Sequence, residues 1–379
     1  MLKKYFWNAI KEALKYKGQT LPNPAVGAVI TKVEKNKEIF ICKEAHKKAG
    51  DKHAEVLAIE KAKKILNLPQ DKPLGDYGKF NIYVTLEPCS TYGKTPPCAL
   101  KIAKEKLNKV LFLLWDINKI NRKGSKKIFE KYKIEYFCYE DHYKDKLLLE
   151  AYKLIDDFIT LQKYNKPFFI LKAALTLDGF IARPDFKSRW ITSLKSRKFT
   201  HEIRRQVNAI LIGKNTLLYD NPQLTIRYVK SSFQPKALIM INSLKGFNFL
   251  EKFFLFEKRK KDTFVLTQNK YVEKFFREKN YQVIFFKTSE ELYEKLIDYK
   301  IFSVLVEGGS KIFSFCMEKG IIDKLFLFYS PKIFGEGIKF LDKVKIYKKL
   351  LYPNYKIIYP DFLVEGYLKN IFNLELKGD

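Results

Sequence analysis

Long apolar runs are absent from this chain of 379 residues. No stretch of 18 consecutive apolar residues occurs, whereas a membrane-spanning helix needs about 20. The first residues, Met-Leu-Lys-Lys-Tyr-Phe-Trp-Asn, lack the apolar segment that a secretory signal requires. The sequence therefore argues against a membrane or secreted class, and we expect a cytoplasmic protein without a membrane partner.

Cysteine is scarce as well, with five residues spread over the chain. Cys42, Cys89, Cys98, Cys138 and Cys316 are an odd number and lack the regular spacing of a disulfide framework. This pattern is typical of proteins from a reducing compartment. It argues against the disulfide-stapled class and supports the cytoplasmic expectation.

Acidic residues are outnumbered, because 42 Asp and Glu oppose 72 Lys and Arg for a formal net charge of +30. Such a charge is typical of proteins that bind nucleic acid. Here lysine is spread through the whole chain, and basic runs are short, as at Lys258-Arg-Lys-Lys261. We therefore interpret the charge as a compositional bias and expect no nucleic-acid partner. A positive field would still attract a phosphorylated small substrate.

One of the four histidines belongs to a pattern with chemical meaning. His53-Ala-Glu55 is followed by Cys89 and Cys98, so the chain offers one imidazole and two thiols. A catalytic zinc site keeps three such ligands and one open position for water, whose pKa falls to about 7. A carboxylate outside the ligand set, here Glu55, can carry protons from that water to a leaving amine. His-x-Glu with Pro-Cys and a further Cys is typical of zinc nucleobase deaminases.

Each of these residues alone has an ordinary structural explanation, and two features of the pattern stay open. Eight residues separate Cys89 from Cys98, whereas the general deaminase pattern has two. A structural zinc site would instead need a fourth ligand, for which Cys42 and His46 are candidates. Proline and apolar spacing predict one helix starting near His53 and another near Cys98. Helix N-termini favour thiolates and hydroxide.

Strands alternate with helices along the chain, which indicates an α/β fold. The loop Pro22-Asn-Pro24 precedes a strand. Two interpretations stay open, a simple rigid turn and a substrate loop in which the amide of Asn23 reads the edge of a pyrimidine. Further along, Glu307-Gly-Gly-Ser310 links a strand to a helix, a turn that can expose backbone N–H groups to a phosphate.

The domain boundary is predicted at Asn165-Lys-Pro167, after one long helix over about residues 143–164. The predicted limits are 1–147 for the first domain, 148–166 for a helical connector and 167–379 for the second domain.

Eight segments together resemble the bifunctional deaminase-reductase family of riboflavin biosynthesis, over nearly the whole chain. The eight-residue gap between the two cysteines is that family's own spacing. The segments are Pro22-Asn-Pro-Ala-Val-Gly27, His53-Ala-Glu55, Val84-Thr-Leu-Glu-Pro-Cys-Ser90, Gly93-Lys-Thr-Pro-Pro-Cys98, Leu177-Asp-Gly179, Trp190-Ile-Thr-Ser193, Asp220-Asn-Pro222 with Leu224-Thr-Ile-Arg227, and Val306-Glu-Gly-Gly-Ser310.

The resemblance implies a cytidine-deaminase-like three-layer domain followed by a dihydrofolate-reductase-like α/β domain. The implied deaminase removes the 2-amino group of a diaminopyrimidinone ribosylamine 5′-phosphate. Its Zn²⁺ is held by His53, Cys89 and Cys98, and Glu55 is the proton shuttle. The implied reductase then uses NADPH to reduce the ribosyl group to ribityl.

Further site residues follow from the resemblance by position. The cofactor would be lined by Ala174, Trp190, Thr216, Asp220 and the turn Gly309–Phe315, with Gly309 and Ser310 at its start. The substrate would be held by Asn23, Ser188, Arg204, Leu224, Arg227 and Glu307. The preference for NADPH over NADH rests on the resemblance alone, since no residue is singled out for the 2′-phosphate. The oligomeric state stays open, a homo-oligomer included.

The chain departs from the family pattern at two places. Thr91-Tyr92 stands where the family often has two histidines, which concerns contacts around the zinc ligands. Asp116-Ile-Asn118 stands where the family often has Asp-Pro-Asn, which concerns the rigidity of that loop.

Two other hypotheses are retained. A tRNA-type nucleic-acid deaminase shares the zinc pattern but explains neither the cysteine gap nor the second domain. A non-catalytic, zinc-stabilised binding protein would have a closed site of four ligands.

Overall fold

The computed structural model describes residues 2–35, 37–93, 96–185, 190–247, 249–345 and 347–374. Contacts between residues divide the chain into two compact units. The first comprises residues 1–164 and the end of the chain from Ile371, and the second comprises Asn165–Asn370. Among the described residues, no helix combines the length and apolar character needed to cross a membrane. The domain limits drawn from activity (1–147, 148–166 and 167–379) remain a prediction.

Helices and strands alternate in the first unit as the sequence indicates. In chain order they are α1 (Leu2–Leu14), β1 (Gly27–Glu34), β2 (Lys37–Ala45), α2 (Ala54–Ile65), β3 (Phe80–Leu86), α3 (Cys98–Lys104), β4 (Lys109–Leu114), α4 (Gly124–Lys131), β5 (Glu135–Cys138), α5 (Lys146–Leu154) and α6 (Asp156–Tyr164).

A mixed sheet with helices on both faces forms the core of the first unit. Within its described residues the strands follow the order β2-β1-β3-β4-β5. β1 is antiparallel to β2 and β3, and β3, β4 and β5 are parallel. Alternation along β3 sends Ile82 and Val84 into an apolar cluster with residues of α2 and α3, whereas Tyr83 contacts Phe6 of α1. This is the three-layer arrangement that the resemblance implies.

The single helix predicted over about residues 143–164 is wrong, because α5 and α6 are separated at Ile155. A buried ion pair explains the break. Lys17 Nζ pairs with the carboxylate of Asp156 and also donates to the carbonyl oxygen of Lys153 at 2.7 Å. That carbonyl group therefore has a partner outside the helix, and a new helix begins at Asp156.

The second unit is also built from alternating strands and helices. Its elements are β6 (Phe168–Leu175), β7 (Phe180–Ala182), α7 (Leu194–Arg204), β8 (Ala209–Gly213), α8 (Lys214–Asp220), β9 (Lys236–Met240), α9 (Phe254–Lys258), β10 (Thr263–Thr267), α10 (Lys270–Glu278), β11 (Gln282–Phe285), α11 (Ser289–Asp298), β12 (Ser303–Val306), α12 (Ser310–Glu318), β13 (Lys324–Tyr329), β14 (Ile338–Lys339), β15 (Leu351–Ile358) and β16 (Asp361–Tyr367).

A large sheet runs through the second unit. Over the described ranges its strand order is β11-β10-β9-β8-β12-β6-β13-β16-β15. Neighbours are parallel from β11 to β13, and β16 and β15 add antiparallel strands at one edge. The parallel strands are almost wholly buried, which explains their near-continuous apolar sequences. The last strand of the sheet, β16, ends at Tyr367.

The carboxyl ends of three parallel strands meet at one edge of this sheet. Val306 of β12 pairs with Leu211 of β8, and Gly213 of β8 pairs with Met240 of β9. In open parallel sheets, ligands bind outside the carboxyl ends of the strands. The turns that follow β8, β9 and β12 are therefore the expected place for a cofactor.

Candidate active sites

Three side chains of the first unit converge with the geometry of a metal site. The ligand atoms of His53, Cys89 and Cys98 all lie within 4.8 Å of one another. His53 Nδ1 lies 3.6 Å from Cys89 Sγ and 3.3 Å from Cys98 Sγ. Tetrahedral bonds of the usual Zn–N and Zn–S lengths would place such atoms about 3.6 Å apart. The three predicted ligands are brought together, and they fit a zinc ion.

Two helix starts and one strand end position these ligands. His53 immediately precedes α2, Cys98 is the first residue of α3, and Cys89 follows β3 by three residues. The backbone N–H of Cys98 donates to Cys89 Sγ at 3.3 Å. The side chain of Cys98 also donates to this sulfur, and the pKa of Cys89 falls despite its burial. The backbone of the helix start thus favours a thiolate at Cys89.

Neither candidate for a fourth ligand joins this set within the described residues. Cys42 Sγ donates to the carbonyl oxygen of Ala58 at 3.2 Å, and burial raises the pKa of this thiol to about 12. His46 Nδ1 lies 3.1 Å from the carbonyl oxygen of Lys52. A set of three ligands leaves a coordination position for water, as catalytic zinc sites do.

Glu55 lies beside the ligand set without belonging to it. It is the second residue of α2, only 4 % exposed, and it lines the same cavity as His53 and Cys89. Burial raises the pKa of its carboxyl group to about 7, although the charge of the His53 ring opposes the shift. A group that exchanges protons works best with a pKa near the operating pH. The position and the pKa therefore fit the predicted proton shuttle.

The cavity in front of these groups has a volume of about 320 Å³ and also contains the predicted Asn23. Because His46 Nδ1 donates to the carbonyl oxygen of Lys52, its Nε2 can accept from Asn23 Nδ2 at 3.4 Å. This contact orients the Asn23 amide within the cavity. Phe158 and Gln162 of α6 form another part of the wall, which the sequence does not reveal.

Glu87, two residues before the ligand Cys89, holds the loop after β4 through its carboxylate. Its carboxylate accepts from the backbone N–H of Asp116 at 3.1 Å, of Lys123 at 2.9 Å and of Ser125 at 3.1 Å. Asp116 in turn accepts from the N–H of Asn118 at 2.9 Å. These bonds fix the loop that contains Ile117 without a proline.

Thr91 and Tyr92, which follow the ligand Cys89, have different surroundings. Thr91 Oγ1 donates to Asn121 Oδ1 at 2.7 Å, and Asn121 lines the deaminase cavity. The Tyr92 side chain is 73 % exposed. Thr91 thus supports the cavity wall through Asn121.

A second cavity, of about 340 Å³, lies in the second unit. Most of the residues implied for the reductase line it, namely Ala174, Trp190, Thr216, Asp220, Arg204, Arg227 and Glu307. Gly309 is next to the lining, because its N–H donates to Thr216 Oγ1 at 3.1 Å, and Ser310 follows as the first residue of α12. Leu224 is buried and is not part of the lining. Ser188 lies outside the described residues.

Arg204 and Glu307, whose side chains are only 11 % and 8 % exposed, form an ion pair in the lining of this cavity. Arg204 Nε and Nη2 donate to the two carboxylate oxygens at 2.6 and 2.9 Å, and Nη1 donates to the carbonyl oxygen of Thr225 at 2.8 Å. Burial raises the pKa of Glu307, but Arg204 outweighs this effect and holds it at about 2. The fork of Arg204 is therefore occupied within the protein. Arg227 is exposed, and among the described residues its guanidinium donates to Gln223 alone, through Nη1.

Three further cavity residues were not identified from the sequence. Lys172 Nζ lies 4.0 Å from Glu307 Oε2, and burial lowers its pKa. His201 Nδ1 accepts from the N–H of Arg227 at 2.9 Å, and burial lowers the pKa of the ring to about 4, so the ring is neutral. Arg197 stacks on Trp190, with 3.8 Å from Cζ to the ring centroid. A lone lysine in the apolar strand Phe168–Leu175 was the one signal that could have pointed to this site.

Two family models match the chain. Residues 2–114 match the cytidine and deoxycytidylate deaminase zinc-binding region, and residues 167–356 match the RibD C-terminal domain. Together with the zinc ligands and the second cavity, these matches define a zinc-dependent deaminase domain followed by a reductase domain. The predicted α/β class is confirmed for both.

Relatives of known name have the same organisation. The chain is 34 % identical over 347 residues to the riboflavin biosynthesis protein RibD of Aquifex aeolicus, covering 90 % of each chain. It is 32 % identical to that of Bacillus amyloliquefaciens, covering 88 % of this chain and 86 % of the other. A crystal structure of a diaminohydroxyphosphoribosylaminopyrimidine deaminase/5-amino-6-(5-phosphoribosylamino)uracil reductase from Thermotoga maritima shares 34 % identity, covers 97 % of this chain and 99 % of that chain, and gives a TM-score of 0.79.

The chain belongs to the RibD family of riboflavin biosynthesis proteins. It is a bifunctional enzyme with a zinc-dependent deaminase and an NADP-dependent reductase, and its cofactors are Zn²⁺ and NADPH.

Proposed function

We propose that the chain deaminates 2,5-diamino-6-(5-phosphoribosylamino)pyrimidin-4-one in its first domain and reduces the ribosyl group of the product to ribityl in its second. The observation that carries the proposal is the open His53, Cys89 and Cys98 set with Glu55 beside it, on the same chain as the reductase cavity. The printed name of the Thermotoga maritima relative describes this pair of reactions.

In the deaminase domain, zinc when bound supplies a water of near-neutral pKa. Glu55 takes a proton at its carboxylate and passes it to the leaving ammonia. Asn23, oriented by His46, accepts from a substrate amino group and holds the pyrimidine over the ligand set. Phe158 and Gln162 form part of the cavity wall, and a cavity of about 320 Å³ supports a small substrate.

In the reductase domain, NADPH when bound supplies the hydride. Trp190, Thr216 and Asp220 line the cofactor, and the turn from Gly309 holds its phosphates. Arg227 has an incompletely used fork and binds the substrate phosphate. Lys172, beside Glu307, provides a proton donor next to the reacting ribosyl group.

We also propose the partners and the setting of the enzyme. The substrate is a small phosphorylated pyrimidine, and no nucleic acid is a partner. The described cysteines are all free thiols, which supports a cytoplasmic location. A homo-oligomer would be detected by measuring the molecular mass of the protein in solution.

The deciding experiment supplies the full-length protein with the diaminopyrimidinone ribosylamine phosphate and follows products by mass. Without NADPH, we expect one amino group to be replaced by oxygen and the reaction to stop there. With NADPH, we expect a further gain of two hydrogens and oxidation of the cofactor. Formation of inosine or uracil in tRNA, with salt-sensitive tRNA binding and no change in the small substrate, would instead support the nucleic-acid deaminase.

Zinc content provides a separate prediction for the ligand set. Replacing Cys98 by Ala is expected to reduce zinc from about one ion per chain to almost none and to abolish deamination, because two remaining ligands hold zinc weakly. Elemental analysis of the purified variants measures this directly. Cys42→Ala is the matched control, since Cys42 is buried and bonded to Ala58. Loss of zinc in the control would indicate the closed, four-ligand site instead.

A further inference from the structure

A cluster of lysines lies at the carboxyl edge of the large sheet, beside the reductase cavity but outside its lining. Lys214 is the first residue of α8, directly after β8. Its Nζ donates to the carbonyl oxygen of Lys245, in the loop after β9, at 3.2 Å. Lys311 is the second residue of α12, in the turn after β12. The parallel register of β8, β9 and β12 brings the three segments to the same edge.

Close packing fixes these segments against one another. A Cβ on Gly308 would lie 2.8 Å from the backbone nitrogen of Gly213, so the turn after β12 touches the end of β8. The Gly309 N–H also donates to Thr216 Oγ1, which joins the start of α12 to α8. The positions of Lys214 and Lys311 are therefore set by the backbone and not only by flexible side chains.

The lysine cluster carries positive charge that the protein does not neutralise. None of Lys214, Lys245 and Lys311 forms an ion pair among the residues that the structure describes, although many other lysines of the chain do. Burial lowers the pKa of Lys214, and the charges of Lys311 and Lys245 lower it further. Like charges held together without a carboxylate are unfavourable in the free protein, and an anion would relieve the repulsion.

The reductase binds two ligands, its substrate and NADPH, and protein groups are already proposed for two of their anions. Arg227 is the proposed ligand of the substrate phosphate, and the backbone turn from Gly309 is the proposed ligand of the cofactor pyrophosphate. One further anion distinguishes NADPH from NADH, the phosphate monoester on the adenosine ribose. Lysine is a common point-charge ligand for phosphate, and its three donors adapt to a terminal phosphate group.

We propose that Lys214, Lys245 and Lys311 bind the 2′-phosphate of NADPH and give the reductase its preference for NADPH over NADH. The inference rests on the proposed reductase function. It assigns the one specificity that the sequence leaves without a residue. The deaminase site and the hydride-transfer residues take no part in it.

Equilibrium binding to the full-length protein tests the inference without any turnover. NADPH and NADH are titrated calorimetrically into the wild type, Lys214→Met, and the triple variant with Met at 214, 245 and 311. We expect Lys214→Met to weaken NADPH binding about tenfold and the triple variant to remove most of the preference, with NADH affinity unchanged. The salt dependence of NADPH binding should decrease in parallel. Lys214→Arg should keep most of the preference.

Lys274→Met is the matched control, because this lysine of α10 is exposed and has its own partner, Glu278, at 3.9 Å. It should leave both affinities unchanged. Titration with 2′-AMP and 5′-AMP separates the cofactor phosphate from other phosphates, and only 2′-AMP binding should weaken in the variants. The KM for the deaminated substrate should stay constant, since a rise there would assign the lysines to the substrate phosphate and overturn the inference.

The outcomes distinguish this inference from the function on which it rests. If the wild type binds neither NADPH nor NADH, the proposed reductase function fails. If the wild type prefers NADPH and the triple variant keeps that preference, the function stands and the role of the lysine cluster is refuted. Equal loss of NADPH and NADH affinity would also refute it, because the lysines would then act on a part that the two cofactors share.

Discussion

Replacing Glu55 by Gln is expected to lower the rate of deamination by about 10³-fold while leaving reduction of the deaminated substrate unchanged. Glutamine fills the same buried volume but cannot take up or release the proton that Glu55 transfers. The zinc ligands are unchanged, so the variant should retain about one zinc per chain. The loss should fall on kcat, because the substrate contacts of Asn23 are preserved.

Two parallel assays on the same preparation measure this effect. Deamination is followed by ammonia release, and reduction by NADPH oxidation with the deaminated substrate. Glu60→Gln is the matched control, because Glu60 lies on the same helix α2 but its side chain is 40 % exposed and paired with Lys52 at 2.7 Å. Its activity should equal that of the wild type. If Glu55→Gln deaminated at the wild-type rate, or lost both activities with its fold and zinc intact, the modular assignment would be refuted.

The zinc site could be predicted from the sequence because its parts are local signals. His53 immediately precedes α2 and Glu55 is the second residue of this helix. Pro97 immediately precedes Cys98, the first residue of α3. Each signal fixes a backbone direction over a few residues. The ligand set then needed only one long-range assumption, that the two helix starts meet at the end of β3.

The reductase cavity could not be predicted in this way, because its central contact joins distant segments. Arg204 and Glu307 lie 103 residues apart, and nothing local shows that the arginine's fork is filled by this carboxylate rather than by a phosphate. The break between α5 and α6 was missed for the same reason, since it depends on Lys17, far away in the chain. Burial of Lys172 and His201 likewise depends on the whole sheet.

The ion pair between Arg204 and Glu307 in the lining of the reductase cavity leads to the second large expected effect. Arg204→Met should lower the free energy of unfolding by about 3–5 kcal/mol at neutral pH, because it leaves Glu307 buried without its main partner. Lys172, 4.0 Å away, offsets part of this loss. Reductase activity should fall strongly, whereas deamination should persist. Urea unfolding of the full-length protein, followed together with both activities, measures the change.

A neighbouring arginine provides the control for Arg204. Arg205→Met removes a pair with Glu202, whose side chain is 40 % exposed, and should cost less than about 1 kcal/mol. The double variant Arg204→Met with Glu307→Gln should regain much of the stability, because no unpaired charge stays buried, yet it should remain inactive as a reductase. If the double variant were as unstable as Arg204→Met alone, lost packing and not the unpaired carboxylate would explain the effect.

The loss of folding stability in Arg204→Met depends on pH, and the direction of this dependence can be predicted. The folded pKa of Glu307 is about 2, below the ordinary value of 4.5, so the pair stabilises the fold fully above pH 4.5. As the pH falls from 4.5 towards 2, the unfolded chain binds the proton first, and the contribution of the pair is lost. The difference in stability between the wild type and Arg204→Met should therefore narrow across this window, since protonation also relieves the unpaired carboxylate in the variant. The difference in stability between the wild type and Arg205→Met should stay small at every pH. If the difference between the wild type and Arg204→Met did not narrow, the charge of Glu307 would not be the cause of the destabilisation.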